Sequence, residues 1–173
     1  MKKLWAIGLS AAVLLTACGA EESAEPAETA TAEGSEDNKE VKRELMKFYM
    51  SIPNAINAVD AELNTFEMNK AEGTLPEGEE LQAMKDAAII SANEAGEAVD
   101  ALEIPEVLEN QKEQIETAFA AIGESYRIKA EELAKDASFE AADEKFTEAD
   151  AQLNELLMEQ DLAASSIYNE VSQ

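Results

Sequence analysis

The chain has 173 residues, 46% hydrophobic but only 5% aromatic, with 38 acidic against 13 basic side chains and a net charge of −25. That excess of carboxylates excludes nucleic acid as a partner, because phosphate binding is driven by clustered Lys and Arg that displace counterions. There is no histidine and a single cysteine, which removes His-ligated haem, di-iron and zinc sites, Ser-His and Cys-His nucleophiles, and internal disulfides.

Lys2 and Lys3 precede an apolar run over residues 4–17 that ends on the small pair Thr16 and Ala17. A basic start, an apolar segment of this length and small residues at its end are the parts of a secretory signal peptide. The run is shorter than the roughly 20 residues a membrane-spanning helix needs. Leu15, Thr16, Ala17, Cys18 and Gly19 together resemble the lipobox of bacterial lipoproteins. The resemblance implies that residues 1–17 are removed as a lipoprotein signal peptide and that Cys18 becomes the lipidated first residue. Loss of Lys2 and Lys3 takes the net charge from −25 to −27. Residues 18–38 then read as the lipidated cysteine and a disordered acidic linker, since residues 19–38 hold no aliphatic side chain larger than alanine.

The body expected over residues 39–173 is all-α. Val41, Leu45, Phe48, Ile52, Ile56, Val59, Leu63 and Phe66 alternate by three and four, one amphipathic helix up to the glycine and proline loop at 72–78. Leu81, Met84, Ala88, Ala95, Val99 and Leu102 mark a second helix, opened by acidic residues that suit the helix dipole and broken at Ile104 and Pro105. The third carries Leu108, Ile115, Phe119, Ile122, Tyr126, Ala130 and Leu133 and ends near Lys135. The fourth, with Ser138 as N-cap, runs from Phe139 through Phe146, Leu153 and Ala163 to Ile167. Four helices of about 25 to 32 residues with short connections predict an antiparallel, up-down-up-down four-helix bundle.

In that bundle Pro53 lies level with Gly96. A proline that removes a backbone hydrogen bond and a glycine that leaves space give either close packing around a kink or a small cavity edged by Tyr49, Asn54, Asn57 and Gly96. Lys39, Lys42, Arg43 and Lys47 gather at helical spacing where the body leaves the linker. They contact anionic headgroups or wall polymer in one reading and pair with Glu40, Glu44 and neighbouring carboxylates in the other. Adjacent carboxylates such as Glu131 with Glu132 point in different directions on a helix and do not converge. No catalytic residue, metal site or cofactor is therefore expected.

Lipobox, acidic linker and helical body together resemble the small helical envelope lipoproteins of the Gram-positive type. This implies a chain anchored to the cell membrane on its extracytoplasmic face through lipid on Cys18. It would act without catalysis, with an envelope protein or wall polymer as partner. The alternative is a helical module for a small ligand or cation.

Overall fold

The computed structural model describes residues 30–135 and 137–171; the expected signal peptide and Cys18 lie outside them. The described residues form α-helices α1 (Ala30–Asn57), α2 (Ala61–Glu72), α3 (Glu79–Asp100), α4 (Lys112–Leu133), α5 (Glu140–Glu159) and α6 (Ile167–Val171). A 3-10 segment, Glu106–Gln111, leads into α4. No strand occurs among the described residues, and no helix there is long and apolar enough to cross a membrane.

The apolar stripes become the core. Leu45, Phe48, Ile52, Ile56, Leu63 and Phe66 are buried, as are Ala88, Ala95 and Val99 of α3, Ile115 to Leu133 along the α4 stripe, and Phe146, Leu153 and Leu156 of α5. Each Leu, Ile or Phe so placed contributes about 1.5–3 kcal/mol. Phe48 stacks on Phe119 at 5.8 Å, and Phe146 meets Tyr126 and Tyr168 edge-on at 5.9 and 5.4 Å, so rings from α1, α4, α5 and α6 interlock. Successive helices pack on one another, α2 on α3, α3 on α4 and α4 on α5, while α6 bridges α5 to α1. α3 and α4 run antiparallel: Lys85, early in α3, donates to the Lys135 carbonyl just past the end of α4 (3.0 Å), and Lys70 donates to the nearby Ala137 carbonyl.

Four unbroken long helices are not what forms. The first is interrupted at residues 58–60, giving helices of 28 and 12 residues. The break falls beyond Pro53, which sits inside α1 and is buried. Ile52 and Ile56, both fully buried, hold the helix across the missing proline N–H. The fourth helix stops at Glu159, where Asp161 takes a left-handed φ of 51°; Ala163 is exposed and Ile167 returns to the core in α6. Ser138 precedes the start of α5, whose N-cap position is Phe139. At the other end α1 begins at Ala30, inside the expected linker. Alanine and glutamate are good helix formers, and acidic residues near a helix start oppose its positive pole, so residues 30–38 extend the helix.

Candidate functional site

The break between α1 and α2 is where the chain concentrates buried polar chemistry. Its backbone closes with Val59 N–H and Asp60 N–H both donating to the Ile56 carbonyl, at 3.0 and 3.1 Å. The Val59 carbonyl and the first-turn N–H of Leu63 are among the groups that the break leaves without a helical partner. Asp60 occupies the N-cap position but has φ −91° and ψ 7° and makes no side-chain cap. The missing cap comes from α3: Ser91 Oγ donates to the Val59 carbonyl (2.7 Å) and accepts from Leu63 N–H (3.3 Å).

Asp60 turns inward instead. It is 2% exposed, and its Oδ2 has no hydrogen-bond partner. Nearby on α4, Lys129 is 8% exposed, with Nζ 2.7 Å from Glu67 Oε1 of α2 and 3.9 Å from Asp143 Oδ1 of α5. The ammonium also lies over the rings of Phe139 (5.5 Å) and Tyr126 (6.0 Å). Burial pushes the Asp60 carboxyl above its ordinary range; Asn64 and Lys129 offset this in part and Glu67 adds to it. Burial likewise raises the Tyr126 phenol, with Asp60 and Glu67 contributing, and the Tyr168 phenol, with the Asp143 carboxylate contributing.

An acid whose pKa is raised by folding holds its proton more tightly in the folded chain. Its share of stability is complete below the ordinary carboxylate range and is lost as pH climbs from there through the raised value. Asp60→Asn, which keeps shape and removes the titration, is expected to raise stability near pH 7 by about 1 kcal/mol. The gain should shrink toward pH 4. Urea melts at both pH values check this, and a variant as pH-dependent as the parent would show that Asp60 does not carry the effect.

The residues singled out in the sequence do not share one site. Tyr49 is buried, and its hydroxyl, with no hydrogen-bond partner, sits in the region of Ser165 and Ile167; burial raises its pKa, with Asp150 and Glu170 adding. Asn54 is exposed, and Asn57 Nδ2 donates to the Glu170 carbonyl of α6 (3.1 Å). Gly96 faces α4: a Cβ on it would stand 3.7 Å from Tyr126 Cβ and 3.8 Å from the Gly123 carbonyl. Gly96 and Gly123 floor an open groove of about 490 Å³ between α3 and α4, edged by Asn93, Asp100, Glu124 and Arg127. Arg127 is held there by Glu124 (2.6 Å) and Glu131, which raise its pKa.

Of the four cations near the start of the body, Lys42 pairs with Asp161 (3.2 Å), Arg43 with Glu40 and Glu44 (3.3 and 3.0 Å), and Lys47 with Glu44 (2.8 Å). Lys39 is exposed. Cys18 lies outside the described residues. Among the described residues no group of three or more potential ligands converges to hold a metal ion.

Sequence reasoning missed Asp60, Ser91 and Lys129. A signal for two of them existed: Ser91 and Lys129 are polar residues at helical spacing from Ala88 and Ala95, and from Tyr126 and Leu133, on faces otherwise given to the core. No family model matches the chain, and neither a curated protein nor a solved structure matches it.

Proposed function

We propose that this chain is a lipid-anchored protein of the extracytoplasmic face of the cell membrane, of the Gram-positive type, working as a non-catalytic structural or interaction component of the envelope. The observation that carries the reading is the succession Leu15-Thr16-Ala17-Cys18 after a short apolar run, followed at Ala30 by a folded helical body. The architecture we propose for that body is an antiparallel four-arm bundle, its first arm broken into α1 and α2 and its last into α5 and α6. The Lys85–Lys135 contact and the packing of successive helices support it. An envelope protein or wall polymer is the partner class that fits an acidic helical body held at a membrane.

The test is crosslinking of intact cells followed by pull-down, with the parent chain beside Cys18→Ala. A partner captured by the parent and lost from the unanchored variant is the expected result. Equal capture by both forms would separate binding from anchoring. Recovery of no protein or wall fragment by either would favour the second reading, a small-ligand or cation module, for which the groove over Gly96 and Gly123 is the supporting observation.

A further inference from the structure

Acidic residues are spread along almost the whole chain, yet residues 45–59 contain neither Asp nor Glu, the longest such run after Cys18. These residues form the second half of α1 and its break. Phe48, Ile52 and Ile56 face the core. On the other side, Lys39, Arg43, Met46, Lys47 and Met50 share an arc of about 100° at 3.6 residues per turn. All five are exposed, Met46 by 37% and Met50 by 45%. Asn54 and Asn57 continue the same side toward the break. Glu36, also exposed, shares the arc one turn before Lys39, and Glu40 and Glu44 lie along one edge, where they hold Arg43 and Lys47 in solvent-exposed pairs that are readily exchanged for other anions.

We infer that this face of α1 lies against an anionic lipid surface, with Lys39, Arg43 and Lys47 on headgroup phosphates and Met46 and Met50 among the glycerol and upper acyl groups. Unbranched, polarisable methionines adapt to a disordered apolar layer, and long cationic side chains reach back to the phosphates from a helix lying in the interface. The charge pattern selects the orientation. Residues 45–59 of α1 bring no carboxylate of their own, so this stretch is the part of an acidic body that an anionic surface repels least. An isologous contact between two copies through the same patch brings like cations together, whereas lipid phosphate complements them.

The inference deepens the anchoring reading and rests on it for proximity. Eleven residues separate Cys18 from Ala30, a chain length that reaches at most about 40 Å. A lipid on Cys18 therefore keeps α1 at high effective concentration near the surface, and contacts that bind an unanchored chain only weakly, yet measurably at high lipid concentration, are enough to orient the anchored one.

The test uses the acylated protein in vesicles of phosphatidylglycerol with phosphatidylcholine and in phosphatidylcholine alone. An environment-sensitive fluorophore is placed at Asn54→Cys or at Thr117→Cys, the latter exposed on α4 on the far side of the Phe48–Phe119 contact. The Asn54 label is expected to be shielded and quenched by lipid-borne quencher in the phosphatidylglycerol vesicles and to be released by salt. The Thr117 label should stay in water throughout. Lys39→Gln, Arg43→Gln and Lys47→Gln together should weaken partition of a Cys18→Ser chain by about 100-fold, at roughly fivefold per cation.

A solvent-exposed Asn54 label on vesicle-bound protein overturns the inference. So does equal shielding on neutral vesicles, or shielding that follows protein density and persists as a crosslinked dimer in detergent. If mass spectrometry finds no acyl group on Cys18, the anchoring reading fails by itself. The same label on the Cys18→Ser chain mixed with these vesicles still decides the face.

Discussion

Lys129→Met is expected to destabilise the fold by about 3 kcal/mol, read as a fall in the urea midpoint with little change in slope. Methionine keeps the apolar stem that Lys129 lays against Phe139 and Tyr126 and deletes the charge. Glu67 Oε1 then loses its 2.7 Å partner, and Asp143 and the inward-facing Asp60 lose the nearby positive charge that holds their negative potential down. The loss comes less from the missing attraction than from the buried Asp60 and the three-quarters-buried Glu67 that it strands, Asp143 being open enough to be hydrated, because an uncompensated charge in a water-poor site is costly. Adding Glu67→Gln to Lys129→Met should therefore recover part of the loss, a coupling that a double-mutant cycle measures. A single variant within about 0.5 kcal/mol of the parent would show that the ammonium is a bystander.

Ser91→Ala is expected to cost about 2–3 kcal/mol, more than its size suggests, because one hydroxyl serves two orphaned backbone groups. Ser125→Ala is the matched control. Ser125 Oγ is also buried and donates to the Ala142 carbonyl at 2.7 Å. That carbonyl lies inside α5, where it keeps its helical N–H donor. The control should lose only about 1 kcal/mol. Equal losses from the two variants would mean that water reaches the break when Ser91 is shortened.

The gap between Ser91 and Ser125 also explains what the sequence made legible. Apolar steps of three and four located the buried faces of α1, α3, α4 and α5, because burial at a helical period is a property of many residues at once. The loops at 72–78 and near Pro105 were visible through Gly and Pro. The break at 58–60 carries neither residue, and the stripe runs through it in phase from Ile56 to Leu63, so periodicity alone continues the helix. The group that caps the break is a hydroxyl contributed from 32 residues away. The end of α5 was hidden for a related reason: Asp161 adopts the left-handed turn that glycine would have announced. Of the candidate site, Tyr49 and Asn57 both lie near α6, whereas Gly96 faces α4, a rotational fact that levels along a bundle axis do not encode.

The long-range ties of α1 set an order of assembly. Lys42 meets Asp161 and Asn57 meets the Glu170 carbonyl across 119 and 113 residues of sequence, while α3, α4 and α5 pack on their immediate neighbours. Neighbouring pairs close quickly because little loop entropy opposes them. A chain delivered amino end first thus completes α2 to α5 while α1 still lacks its last partner, and the first helix to emerge is among the last to be fully docked. Until residues 167–171 arrive, the inner side of α1, with Tyr49, Ile52 and Ile56, is incompletely covered. That interval is when a newly made chain is most open to chaperones, proteases and other copies of itself.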